Sequence, residues 1–313
     1  MEKDSKILVT GGGGMVGASL VKRLKESGYV NLFTPPSKEL DLRSQKDVEE
    51  YFNKHKPEYV FHLAAKVGGI LANIETPADF LYHNLIMQSN VIESARKHNV
   101  KKLLFLGSSC IYPKNSPQPM KEDYVLTGKL EPTNEGYGIS KIAGLKLCEY
   151  YNKQYKTNFI SLMPCNLYGY NDHFDAKKSH VVPALILKFH LSKIQNLPFV
   201  EIWGTGDVKR ELLFVEDLTD AIIYFMLNHN AKDLGPFINI GYGREVTIKE
   251  LAFMIKEIVN YNGEIRFDTN KPEGMSEKLV DITKSSKLGW KPKTDLKDGL
   301  KRTYEWFLEN EQN

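Results

Sequence analysis

The chain has 313 residues, 26% charged and 42% hydrophobic, the ordinary makeup of a globular protein with one large core or two moderate ones. A formal net charge of +3 is too small to point to nucleic acid or an anionic membrane, and no apolar stretch is long enough to span a bilayer. Cys110, Cys148 and Cys165 are odd in number and irregular in spacing, so no disulfide framework or metal site is expected, and with no leader in MEKDSKILVTGGGG the expected compartment is the cytoplasm.

Short apolar runs alternate with longer amphipathic ones through the first half. KILVT at 6–10 is a predicted strand, Met15 to Glu26 a helix and VNLFT at 30–34 a second strand. Val48 to His55 reads as a helix, YVFHL at 59–63 as a strand and Ala78 to His98 as a helix. KLLFLG at 102–107 is the next strand, followed by a long helix from Glu135 to Tyr155 and the strand FISLMP at 159–164. This alternation predicts an α/β fold with a Rossmann-type doubly wound parallel sheet. Beyond Pro164 the pattern loosens: HVVPALILKFHLSKIQ is a helix, FVEIWGTG a strand and turn, and ELLFVEDLTDAIIYFML a strand and helix. FINIG, TIKELAFMIKEIV and LKDGLKRTYEWFLEN supply a strand and two helices. The expected organisation is a dinucleotide-binding domain over 1–165, to which about 211–243 returns, and a smaller C-terminal α/β substrate lobe over 166–313, with a cleft between them.

TGGGGMVG places Gly11, Gly14 and Gly17 between a predicted strand and a predicted helix, with Met15 and Val16 inside the spacing. Glycines let the chain turn tightly and bring its amides to a pyrophosphate, which a helix N-terminus favours electrostatically. The second strand carries no Asp or Glu at its end before Glu39, so the usual clamp on a free ribose 2′-hydroxyl is missing, which leans toward NADP. Lys38 and Arg43 are the nearby cations, and Pro35 and Pro36 stand where an arginine would have been decisive.

In YGISK, Tyr137 and Lys141 lie four residues apart on one helix face. A tyrosine gives a proton to a carbonyl under reduction when a neighbouring cation lowers its pKa, and Lys141 can supply that cation. Ser108 or Ser109, at the end of the preceding strand, could hydrogen-bond the same oxygen. Taken singly, these residues have plainer readings: Y-x-x-x-K as a surface pair, Cys110 as a small buried hydrophobe, and a histidine before VVPAL as a helix cap.

TGGGGMVG, LAAKVGG, LGSSCIYP, EPTNEGYGISK and NLYG resemble the extended short-chain dehydrogenase/reductases that act on nucleotide sugars. AAKVGGILAN, LLFLGSSCIYP, LEPTNEGYGISKIAGLKLCE and NLYGYNDHFD with SHVVPAL are similar to the branch that epimerises a GDP-linked 4-keto-6-deoxy sugar at carbons 3 and 5 and reduces it at carbon 4. The likeness runs from about residue 6 to Glu309. It implies Cys110 as the base and His180 as the acid of the epimerisation, and Tyr137 as the proton donor for reduction, supported by Lys141 and Ser108. It implies a GDP-sugar held by Asn166, Lys188, Trp203 and Arg210, with lysine at 188 where some members carry arginine. It also implies NADPH as the cofactor, with Asp41 reading the adenine amino group beside Leu42 and with Ala64, Ala65 and Lys66 lining a strand end; Gly13 replaces an arginine of some relatives. A homodimer paired through Ala78 to His98 and Glu135 to Tyr155 is the implied assembly, with no nucleic-acid or membrane partner. A hexose 4-epimerase or 4,6-dehydratase would instead carry an acid after the second strand and threonine or an acidic pair near Cys110, and a non-catalytic dinucleotide sensor would have lost Tyr137 or Lys141.

Overall fold

Four consecutive buried residues make the first strand, β1 (Ile7–Thr10), and the glycine run after it turns the chain into α1 (Met15–Glu26). There follow β2 (Leu32–Phe33), α2 (Gln45–His55), β3 (Tyr59–His62), α3 (Ile70–Glu75), α4 (Pro77–Lys97), β4 (Lys102–Leu106), α5 (Glu135–Tyr155) and β5 (Phe159–Pro164). The remainder is β6 (Asn166–Tyr168), α6 (Val181–Ile194), β7 (Phe199–Trp203), β8 (Lys209–Phe214), α7 (Val215–Asn228), α8 (Ala231–Leu234), β9 (Ile238–Ile240), β10 (Glu245–Thr247), α9 (Ile248–Val259), β11 (Glu264–Asp268), α10 (Thr283–Lys287) and α11 (Leu296–Asn310). This computed structural model describes residues 1–175, 179–270 and 277–310; 176–178, 271–276 and 311–313 of the expected second lobe lie outside the described residues.

Six strands form one parallel sheet in the order β2-β1-β3-β4-β5-β9, with α1 packed on α7, and α4 packed on both α2 and α5. Strands buried on both faces read as continuous apolar runs, as KLLFL and FISLMP do. The chain steps outward from β1 to β2 and then crosses to β3 on the other side. The strand order therefore reverses between β1 and β3, where open α/β sheets place a ligand beyond the strand C-termini.

The smaller lobe holds a sheet of order β10-β8-β6 and a parallel pair β11-β7. Its own core gathers Tyr168, Phe189, Phe214, Leu251 and Phe307. The chain returns to the large sheet through α7 and β9, whose Ile238 pairs with Leu162 of β5.

Three of the boundaries that differ from the sequence expectation have a plain local cause. β2 spans two residues rather than VNLFT, because Pro35 and Pro36 follow it on the sheet's edge and have no N–H to donate. α2 begins at Gln45, three residues early, where the Ser44 side chain accepts from the Asp47 N–H. α4 begins at Pro77, whose missing N–H costs nothing at a helix start. The short elements α3, β6, α8, β10, β11 and α10 have no counterpart in the sequence reading.

Candidate active site

A cavity of 1220 Å³ opens beyond the C-terminal ends of β1, β3, β4 and β5 and runs on between the large sheet and the smaller lobe. Gly11, Gly14, Met15, Val16 and Gly17 form its first wall. Gly11 has φ +74, and a Cβ at Gly17 would stand 2.0 Å from the Gly11 carbonyl oxygen, so helix and turn meet as only glycine allows. α1 then starts from Gly14 with no side-chain cap and no acidic residue in its first turn. Its first amides face the cavity unopposed by negative charge, a cradle for phosphate.

The rim after β2 carries Ser37, Lys38, Asp41, Leu42 and Arg43. The Arg43 guanidinium grips both oxygens of Asp41, at 2.9 and 2.8 Å, and this pairing holds the carboxyl down at about 2. The carboxylate expected to read an adenine amino group therefore stays ionised and is already engaged by Arg43. Ala64, Ala65 and Lys66 line the end of β3, where the buried Asn84 accepts from the Lys66 N–H at 2.7 Å and donates to its carbonyl at 3.0 Å. The Lys66 ammonium turns to Asp79, 2.7 Å away.

Beyond β4 the chain makes one 3-10 turn, Ser109–Ile111, whose cap is the Ser108 hydroxyl accepting from the Cys110 N–H at 3.2 Å. α5 lies hard against this turn: a Cβ on Gly138 would stand 2.7 Å from the Cys110 carbonyl oxygen. That packing brings Tyr137, Ser108 and Cys110 together on one wall of the cavity. Lys141 is buried, donates to the Leu106 carbonyl at 2.9 Å, and sits 5.7 Å from the Tyr137 ring centre.

Electrostatics here correct one expectation. Burial pushes the Tyr137 hydroxyl up rather than down, with the Cys110 charge adding to the rise and the Ser108 hydrogen bond opposing it. The same burial brings Lys141 down to about 8, so desolvation outweighs the cation that was expected to acidify the phenol. Tyr137 is accordingly held in its protonated form, the form that donates.

From the smaller lobe, His180 stands immediately before α6 with its ring open to the cavity, and Asn166, Lys188, Trp203 and Arg210 line the same space. The protein crowding His180 and the charge of Lys278 both lower its pKa. Lys188 donates to the Glu201 carbonyl at 3.3 Å and lies 5.8 Å from the centre of the Trp203 ring. Every site residue named from the sequence thus lines one cavity except Ser109, the alternative to Ser108, which is buried outside it. Cys148 and Cys165 are buried away from solvent, and burial pushes both thiols up.

The sequence reading missed two residues. Asn134, just before α5, donates from Nδ2 to Cys110 Sγ at 3.3 Å, and its place three residues ahead of Tyr137 made it findable as a helix-start residue. Lys278 donates to the same sulfur at 3.4 Å, and nothing in EKLVDI signals that, since the contact spans 168 positions.

The family model for the NAD dependent epimerase/dehydratase family matches residues 7–241, about three quarters of the chain. The chain belongs to this family. Among its relatives, GDP-L-fucose synthase 1 of Arabidopsis thaliana is 50% identical over 99% of this chain and 95% of its own length. GDP-L-fucose synthase of Escherichia coli K12 is 46% identical over 98% of this chain and 97% of its own. The solved structure of a GDP-mannoheptose C4 reductase from Campylobacter jejuni with NADP bound superposes with a TM-score of 0.91, at 44% identity, covering 98% of this chain and 99% of that one. The epimerase/dehydratase match spans β1 to just past β9, and therefore takes in the glycine loop, Cys110, Tyr137, Lys141 and His180.

Proposed function

We propose that the chain converts GDP-4-keto-6-deoxy-D-mannose to GDP-L-fucose, by epimerisation at carbons 3 and 5 followed by NADPH-dependent reduction at carbon 4. The observation that carries the reading is that Cys110 and His180 face the same cavity as Tyr137, Lys141 and Ser108, one from the large sheet and one from the smaller lobe. Relatives at 46% and 50% identity bear the name of this activity. The uncapped N-terminus of α1 and the glycine cradle fit a dinucleotide phosphate, and the rim carries Lys38 and Arg43 against Asp41.

In the epimerisation, Cys110 takes a proton from the carbon beside the ketone. The C–H bond breaks, an S–H bond forms and the electron pair moves onto the carbonyl oxygen as an enolate. His180 returns a proton to that carbon from the other lobe's side, which inverts it. NADPH, when bound, supplies the hydride to carbon 4. Tyr137 gives its proton to the carbon 4 oxygen, held in place by Ser108, with the Lys141 ammonium nearby to offset the phenolate charge. Asn166, Lys188, Trp203 and Arg210 hold the GDP-sugar, and Asp41, Leu42, Ala64, Ala65 and Lys66 line the cofactor's end of the cavity.

The reading includes a homodimer formed through α4 and α5, which pack on each other and leave Tyr82, Ile139, Tyr150 and Tyr155 exposed. It also includes a division into domains near residue 165 and a cytoplasmic setting, which suits three free cysteines. Sedimentation that returns a monomer at micromolar protein removes the dimer.

The deciding experiment supplies GDP-4-keto-6-deoxy-D-mannose and NADPH, follows nicotinamide absorbance, and identifies the sugar by NMR for the wild type and for Cys110→Ser. GDP-L-fucose from the wild type, with little from the variant, is the expected result. A second reading, reduction without inversion, is favoured by the structural likeness to a protein titled a C4 reductase. Oxidised cofactor with an uninverted 6-deoxyhexose from both samples establishes that reading instead.

A further inference from the structure

Among the described residues, both hydrogen bonds at the Cys110 sulfur are received rather than given: Lys278 Nζ at 3.4 Å and Asn134 Nδ2 at 3.3 Å. A neutral thiol offers a proton and accepts weakly, whereas a thiolate draws donors and gains most from a cationic one. Lys278 is also fixed where it stands. Its own N–H donates to Glu245 at 2.9 Å, the Leu279 N–H to Gln118 at 2.9 Å, and the Val280 N–H to the buried Glu211 at 3.0 Å. Leu279 and Asp281 complete the attachment by backbone hydrogen bonds to Met120, at 2.7 and 2.9 Å. This strap carries a lysine from the far end of the chain to the catalytic turn.

Among the described residues, no carboxylate forms an ion pair with the Lys278 ammonium. Glu131 lines the space beside Cys110 but is paired with Lys114 at 3.1 Å. Tyr137 is held protonated by its burial, Lys141 adds a second cation on the α5 side, and on the smaller lobe's side burial and then the Lys278 charge lower the His180 pKa. Cys165, near both Glu211 and Lys278, has its thiol pushed up by burial.

We propose that Lys278 is a positioning residue that holds Cys110 as a thiolate, with Asn134 as the second donor. The sulfur is thereby ready to accept a carbon-bound proton. When the S–H bond forms and the electron pair moves to the enolate oxygen, the Lys278 ammonium stays in the cavity as a counter-charge for it. The assignment deepens the reading of Cys110 as the epimerisation base, but the thiolate itself is measured without any sugar.

The test is the rate of alkylation of Cys110 by iodoacetamide, a neutral probe, across a pH series in the full-length protein, with the modified residue located by mass spectrometry. Cys110→Ser serves as the blank, since Cys148 and Cys165 are buried. Lys278→Met is expected to react about tenfold more slowly than the wild type near neutral pH and to match it at high pH, where any thiol is ionised whether or not a lysine stands beside it. Lys278→Arg, which restores the charge, is expected to recover most of the rate. Superimposed wild-type and Lys278→Met profiles overturn the proposal. If Lys278→Met does not fold, Lys278→Gln takes its place. The ultraviolet thiolate absorbance of the wild type minus that of Cys110→Ser decides the matter with no lysine variant, its absence at neutral pH counting against the assignment. Lysine-dependent alkylation in a protein that leaves the sugar unconverted sustains the pair and sinks the epimerase reading alone.

Discussion

Gly138→Ala probes the contact on which the reductive site is built. The added methyl would lie 2.7 Å from the Cys110 carbonyl oxygen and 3.0 Å from Leu130 Cδ1. An ordinary carbon–oxygen contact is about 3.3 Å, so α5 and the catalytic turn must separate by roughly 0.6 Å. Alanine gains about 0.8–1.0 kcal/mol of helix propensity over glycine, while overpacking a buried contact costs about 1–3 kcal/mol. Strain wins here, because the obstructing atom is backbone and cannot rotate away; a net loss of up to about 2 kcal/mol is expected. At about 2.1 cal/mol/K per residue, the unfolding entropy of a chain this size turns that into a drop in Tm of up to about 3 °C. The catalytic effect is larger. Tyr137 precedes the substituted residue and Cys110 lies across the gap, and a misplacement of about 1 Å costs roughly 100-fold in rate, so a fall in kcat of about tenfold is expected. The assay pairs a thermal melt with steady-state reduction kinetics, using exposed Lys153→Ala on the same helix as the control. A Gly138→Ala protein that melts above the wild type and turns over at its rate would refute the reasoning.

Three further outcomes follow from the same geometry. Tyr137→Phe removes the proton donor without changing the ring, and kcat for reduction should fall about 100- to 10,000-fold while cofactor affinity, followed by nicotinamide fluorescence, holds. Buried Glu211 has its carboxyl raised to about 7, mainly by burial, above an unfolded value near 4.5. Its proton therefore stabilises the native state fully below about pH 4.5, and that stability is lost as pH rises through about 7; denaturant melts of the wild type should weaken across this window, and those of Glu211→Gln should weaken less, the remainder coming from Asp172 and Glu122, whose carboxyls burial also raises. Thr247 caps α9 by accepting from the Glu250 N–H at 3.1 Å, and Thr247→Ala should cost about 1 kcal/mol in urea unfolding with activity unchanged.

Much of this site is legible in the sequence because its parts are local. A glycine spacing of three, a tyrosine and lysine four apart, and a cysteine two residues past a serine at a strand end are each held by a few neighbouring residues. What escaped was short or distant. β6 and β10 are three residues each and carry no periodicity to read, and β2 was overextended until the two prolines were placed on an edge. The direction of the Tyr137 shift was misjudged because spacing puts a cation nearby but does not say how dry the site is. Lys278 reaches Cys110 only because Glu211, Glu245 and the loop that holds Gln118 and Met120, three separate parts of the chain, fasten its strap.

That strap sets an order in which the molecule becomes competent during synthesis. A ribosome delivers the glycine loop, the catalytic turn and the tyrosine helix within the first half of the chain, and residues 278–281 only near the end. Until then the thiol stands beside Asn134 without its ammonium neighbour. A nascent chain paused before residue 278 thus carries the residues that line the dinucleotide's end of the cavity but not the lysine proposed to hold Cys110 as a thiolate, so under that proposal the catalytic sulfur gains its charged neighbour last.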